Sequence, residues 1–161
     1  MKPVLVVGLG NALMGDDGIG QYVVDALVRH PFLPQQIDVI QGGSDVLRLA
    51  GAMEGRDHVV IVDAMLTRDP PGTVLVFSQE ELSDRTPSAP HAHTFPAIQA
   101  IQLLKLTIPT LERAQFTVLG VAVERATRTA RLSPQLTVRL PDILDRVAVE
   151  LQHLVLQVAP T

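Results

Sequence analysis

Three observations predict an α/β fold, a three-layer arrangement in which a largely parallel, twisted five-stranded sheet carries helices on both faces. Short apolar runs alternate along the chain with segments of helical periodicity, the pattern of strands joined by crossover helices. The first run, Pro3 to Leu9, is continuously apolar, as a strand covered on both faces reads. Glycine and proline stand at the joints between these segments, where they end one element and allow the next.

The elements follow in order. Residues 3–9 form the first strand, closed by Gly8 and Gly10. Ile19, Val23 and Leu27 recur at i, i+4 and i+8, which predicts a helix from about Gly18 to His30, ended by Pro31 and Pro34. Residues 36–41 read as a second strand stopped by Gly42-Gly43, and Ser44 or Asp45 then caps a short helix over 45–53. Residues 58–64 form a third strand with Asp63 at its C-terminal end, and Pro70-Pro71-Gly72 turns the chain into a fourth over 73–77. Residues 84–92, rich in Pro, Ser, Ala and His, read as a loop. Thr94 is placed to cap a helix with Pro96 in its first turn, continuing through Ile98, Ile101 and Leu104. Residues 116–123 form the fifth strand. Ser133-Pro134 opens a helical turn, and Pro141 restarts the helix that runs through Leu144, Val147, Leu151, Leu154 and Val158.

With 161 residues the chain is read as one domain, residues 1–161, large enough to bury about two-thirds of its unfolded surface. Apolar residues make up 47% and charged residues 19%, so the composition is globular. The formal charge of -4 comes without a basic block, which argues against nucleic acid and anionic membrane as partners. No apolar stretch approaches the ~18 residues of a membrane span. The chain runs directly from Met1 into a strand with no small-residue cleavage site, so no signal peptide is expected and the location expected is cytoplasmic. Cysteine is absent, which removes thiolate nucleophiles and zinc–thiolate sites and leaves any metal to His, Asp and Glu.

The chemistry concentrates after the first strand, in Gly8-Leu9-Gly10-Asn11 and Gly15-Asp16-Asp17-Gly18-Ile19-Gly20. Two adjacent carboxylates repel unless a cation, a proton or helix N–H groups compensate them. One of the pair suffices to cap the helix that follows; two, with Asp63 on the same rim, point to a metal site. In parallel α/β sheets ligands bind beyond the carboxyl ends of the strands, which gathers Asp16-Asp17, Gly42-Gly43 and Asp63 on one side. His91 and His93 precede a helix, and either would complete a site of oxygen and nitrogen donors. His58, inside a strand beside Asp57, reads as structural. Gly8-Leu9-Gly10 lacks the third glycine of a dinucleotide fingerprint, since Leu13 stands there, and Gln41 replaces the acid that would bind a ribose. A nucleotide cofactor is therefore not expected. Ser44 lacks the flanking glycines of a nucleophile elbow.

On these residues the chain resembles the hydrogenase maturation endopeptidases, which process the large subunit of nickel–iron hydrogenases. The resemblance spans roughly residues 3–155. It rests on the opening motif from Gly8 to Gly20, on Arg56 to Ala64, on Pro71-Gly72-Thr73 and on Leu119-Gly120-Val121, in that order. It departs at Gln41, where an aspartate is frequent, and at Ala122-Val123-Glu124, where a proline often precedes the acid. The resemblance implies a peptidase, metal-dependent or aspartic-type and neither serine nor cysteine, that removes the C-terminal extension of a large-subunit precursor. It implies Asp17, Asp63 and His93 as metal ligands, the first two also catalytic, and nickel supplied by the precursor as the recognition element. A metal- or nucleotide-binding module without enzymatic activity is the alternative reading.

Overall fold

The computed structural model describes residues 1–78, 80–81, 96–125 and 128–158. The strands are β1 (Val4–Leu9), β2 (Ile37–Gly43), β3 (His58–Leu66), β4 (Val74–Phe77) and β5 (Gln115–Val123). They form one sheet in the order β2-β1-β3-β5-β4. All neighbours are parallel except β4, which pairs antiparallel with β5. The α-helices among the described residues are α1 (Ile19–Leu27), α2 (Ala50–Met53), α3 (Pro96–Thr107) and α4 (Pro134–Gln157).

Strand periodicity divides the core into two layers. On one face Leu5, Val7, Val59, Ile61, Phe116 and Val118 pack with Ile98, Ile101 and Leu104 of α3. On the other, Val4, Val6, Val60, Val62, Val121 and Val123 meet Val23 and Leu27 of α1 and Ile143, Val147 and Leu151 of α4. Every residue of β1 is buried, as its continuous apolar run requires.

Several boundaries differ from the sequence reading. α1 ends at Leu27 instead of near His30, because the chain there tightens into i→i−3 bonds from Arg29 and His30 to Ala26 and Leu27. A 3-10 turn, Gly15–Gly18, precedes it and holds both aspartates. β2 runs through Gly42 and Gly43 instead of stopping before them. The expected helix over 45–53 is a 3-10 turn, Val46–Leu49, followed by α2; Asp45 is its cap and accepts the N–H of Leu47 at 3.0 Å. β3 extends past Ala64 to Leu66, so Asp63 lies within the strand and does not end it.

The C-terminal helix is one element, not a turn and a restart at Pro141. It begins at Ser133, whose side chain accepts the N–H of Leu136, and passes through Pro141 without ending. A proline removes one backbone bond and crowds the carbonyl four residues back. Here Pro141 and Thr137 are both exposed, so that carbonyl is left to solvent, while Leu136, Ile143 and Val147 anchor the helix on either side of the break. The expected loop over 84–92 and the cap at Thr94 lie outside the described residues.

Candidate functional site

β1 sits between β2 and β3, so the chain leaves it to opposite sides of the sheet. The crevice at such a reversal, beyond the strand C-termini, is where open α/β sheets bind ligands. Both candidate carboxylates stand there.

Glycine makes the crevice possible. Gly10 has φ 125°, and a Cβ there would lie 2.0 Å from the carbonyl oxygen of Asp17. Only glycine takes this turn without strain, and it folds the 3-10 turn back over the end of β1. At Gly20 a Cβ would lie 2.2 Å from the Leu9 oxygen and 2.3 Å from the Val62 oxygen. The first turn of α1 thus packs directly on the ends of β1 and β3. A Cβ at Gly8 would lie 2.3 Å from the Gly20 oxygen, so close packing of α1 accounts for the Gly8-Leu9-Gly10 spacing that first suggests a nucleotide loop.

The two adjacent aspartates divide their work. Asp16 is buried, and its Oδ1 accepts the N–H of Ser133 at 2.7 Å. Two further bonds fasten the same region to residues 129–133: Gly15 N–H to the Thr129 carbonyl at 2.6 Å, and the Tyr22 hydroxyl to the Ala130 carbonyl at 3.2 Å. Asp16 is therefore a tether. Asp17 turns the other way. Its Oδ2 accepts the N–H of Asn11 at 3.1 Å, and the Asn11 side chain accepts the N–H of Leu13 at 3.0 Å. The single asparagine of the chain shapes the loop that presents Asp17.

Asp17 and Asp63 line one cavity of about 510 Å³. Its walls include Leu9, Val46, Leu47 and Leu66, with Ala97 and Ala100 of α3. Burial pushes the Asp63 carboxyl up to about 7; the charge of Asp17 adds to the rise, and the N–H of Ala64, donated at 2.8 Å, opposes it. Among the described lining residues there is no Lys, Arg or His. Among the described residues the cavity thus brings no cation to the pair, whose oxygen donors suit a divalent cation.

The other candidates separate. His91 and His93 lie outside the described residues, and among those described no three His, Cys, Asp or Glu side chains gather as a metal site. Ser44 and Asp45 also line the cavity, but Asp45 caps the 3-10 turn with one oxygen and faces Arg48 at 3.8 Å with the other. His58 sits on the opposite rim, its Nε2 2.9 Å from Thr117 Oγ1, and burial lowers its imidazole below the ordinary value. Its structural reading agrees with that position. Sequence reasoning missed the clamp from residues 129–133. Nothing local in that segment signals a contact across 117 residues.

The family model for HycI, hydrogenase maturation protease, matches residues 21–150. This chain belongs to the hydrogenase maturation protease family. The Hydrogenase 2 maturation protease of Escherichia coli (strain K12) is 28% identical over 151 residues, spanning 93% of this chain and 91% of that protein. The solved hydrogenase maturating endopeptidase HybD from E. coli has a TM-score of 0.74 at 28% identity, with 95% and 93% of the two chains covered. The [NiFe] hydrogenase maturation protease HybD from Thermococcus kodakarensis has a TM-score of 0.71 at 29% identity, covering 91% and 97%. The family is one of peptidases, and the α/β architecture here is that of its solved members. Among the described residues no helix is long and apolar enough to cross a membrane.

Proposed function

We propose that this peptidase removes the C-terminal extension of a nickel-loaded hydrogenase large-subunit precursor, with the nickel of the substrate as its recognition element. The observation that carries the reading is the Asp17–Asp63 pair, two carboxylates in one cavity with no cationic side chain among the described lining residues. The names of the relatives support a hydrogenase substrate, and that of the Thermococcus protein supports the nickel–iron class.

Asp17 and Asp63 offer oxygen donors to the incoming nickel, and His93 supplies a nitrogen. This half-set is finished by ligands that the precursor brings. Nickel held between the two proteins docks the precursor and places the scissile segment over the cavity, where a divalent ion polarises a carbonyl as a Lewis acid. Asp17 is held in place by Asn11, and Asp63 by the N–H of Ala64.

The test is incubation of the purified protein with nickel-loaded and nickel-free forms of an extended precursor, with the released peptide read by mass spectrometry. Release from the loaded form alone is expected, without rescue of the nickel-free form by zinc. Efficient processing of metal-free precursor overturns nickel recognition. A tightly bound stoichiometric zinc whose removal stops turnover replaces it with a resident-metal peptidase.

A further inference from the structure

β3 is longer than the strand beside it. Its pairing with β1 ends at Val62, opposite Gly8, while its pairing with β5 continues through Leu66, opposite Val123. Among the described residues, Asp63–Leu66 therefore has a strand neighbour on one side only. The chain leaves the sheet at Gly10, whose φ is positive, and the first turn of α1 packs on the ends of β1 and β3 at Gly20. The open edge borders the cavity: Asp63, Ala64 and Leu66 all line it. Four residues of strand give roughly 13 Å of edge.

Among the described residues no strand pairs with this edge, and an unpaired strand edge is a template for an extended peptide. We infer that the C-terminal extension of the precursor binds as an added strand along the Asp63–Leu66 edge of β3, parallel or antiparallel to it. The inference rests on the function proposed above and names the conformation in which that substrate is held. The edge begins at Asp63 itself, so a segment paired there has one end beside the carboxylates. Alternate side chains of an added strand fall on one face. On one side they meet the apolar wall of Val46, Leu47, Ala97 and Ala100. Leu47 and Leu66 are 44% and 53% exposed, so both offer contact area to an apolar side chain. The peptide's own backbone supplies most of the affinity, which leaves specificity to a few alternate positions.

The experiment uses a nickel-loaded precursor whose extension is a ligated synthetic peptide, N-methylated at one residue at a time. N-methylation removes a single N–H and leaves the side chain unchanged. An added strand directs only alternate residues toward its neighbour. Initial cleavage rates are expected to fall at least tenfold at every second position over about four residues, with the intervening positions near the unmodified rate. Equal rates at all positions, or a uniform loss without alternation, overturn the inference. Cleavage of the unmodified ligated precursor reports separately on the proposed function: if that control is processed and the scan is flat, only the added strand is lost.

Discussion

At the scale of single residues the site is decided by which of two neighbouring acids faces which way. Asp16 and Asp17 are equivalent in sequence and opposite in role, because Ser133 claims the first. Asp17→Asn and Asp63→Asn are expected to abolish precursor cleavage while far-UV circular dichroism and unfolding stay those of a folded protein. Asp16→Ala is expected to behave differently, lowering stability by about 1.5–3 kcal/mol through loss of a buried charge-assisted bond, as read by urea unfolding. His93→Ala is expected to be inactive and folded; inactivity of His91→Ala in its place moves the ligand by two residues. Asp63 also gives stability a pH dependence. Its folded value, about 7, lies above the ordinary 3.8, so the contribution is complete below pH ~4 and is lost as pH rises through ~7. The loss is on the order of a few kcal/mol. Urea midpoints from pH 4 to 8 are expected to show wild type losing ground to Asp63→Asn over that window, and parallel curves would disprove the shift.

At the scale of elements, what could be read in the sequence was what local chemistry dictates. β1 is legible because a strand buried on both faces has a continuous apolar run, and α1 because Ile19, Val23 and Leu27 make one stripe. Asp63 on the crevice rim followed from its place near the C-terminal end of a strand in a parallel sheet. The run of β3 to Leu66 was not legible, since Ala64-Met65-Leu66 fits a strand, a helix or a loop equally well. Nor was the passage of α4 through Pro141, which depends on the break facing water. That strained position invites a test. An interior proline costs a helix up to about 3 kcal/mol relative to alanine, a net figure that already includes the stiffer unfolded chain. Pro141→Ala is therefore expected to stabilise the protein by about 2 kcal/mol in urea unfolding, without change in cleavage. Gly20→Ala is expected to do the reverse. Its Cβ meets two backbone oxygens near 2.2 Å, which no rotamer relieves, so a loss of about 1–3 kcal/mol accompanies a displaced Asp17.

At the scale of the whole molecule, two apolar layers cover the two faces of the sheet. A chelator is expected to leave the thermal midpoint within about 2 °C, whereas a structural zinc contributes on the order of 10 kcal/mol. A large fall in chelator would show that metal belongs to the fold. The clamp on the acid turn has a consequence in time. Residues 129–133 hold Gly15, Asp16 and Tyr22 in place, yet they are synthesised more than a hundred residues later. Until those residues are made, the acid turn has its contacts to Asn11 and to the ends of β1 and β3 but not its bonds to residues 129–133. The turn that carries Asp16 and Asp17 therefore gains its full set of bonds only after β5 has been made and residues 129–133 have followed it.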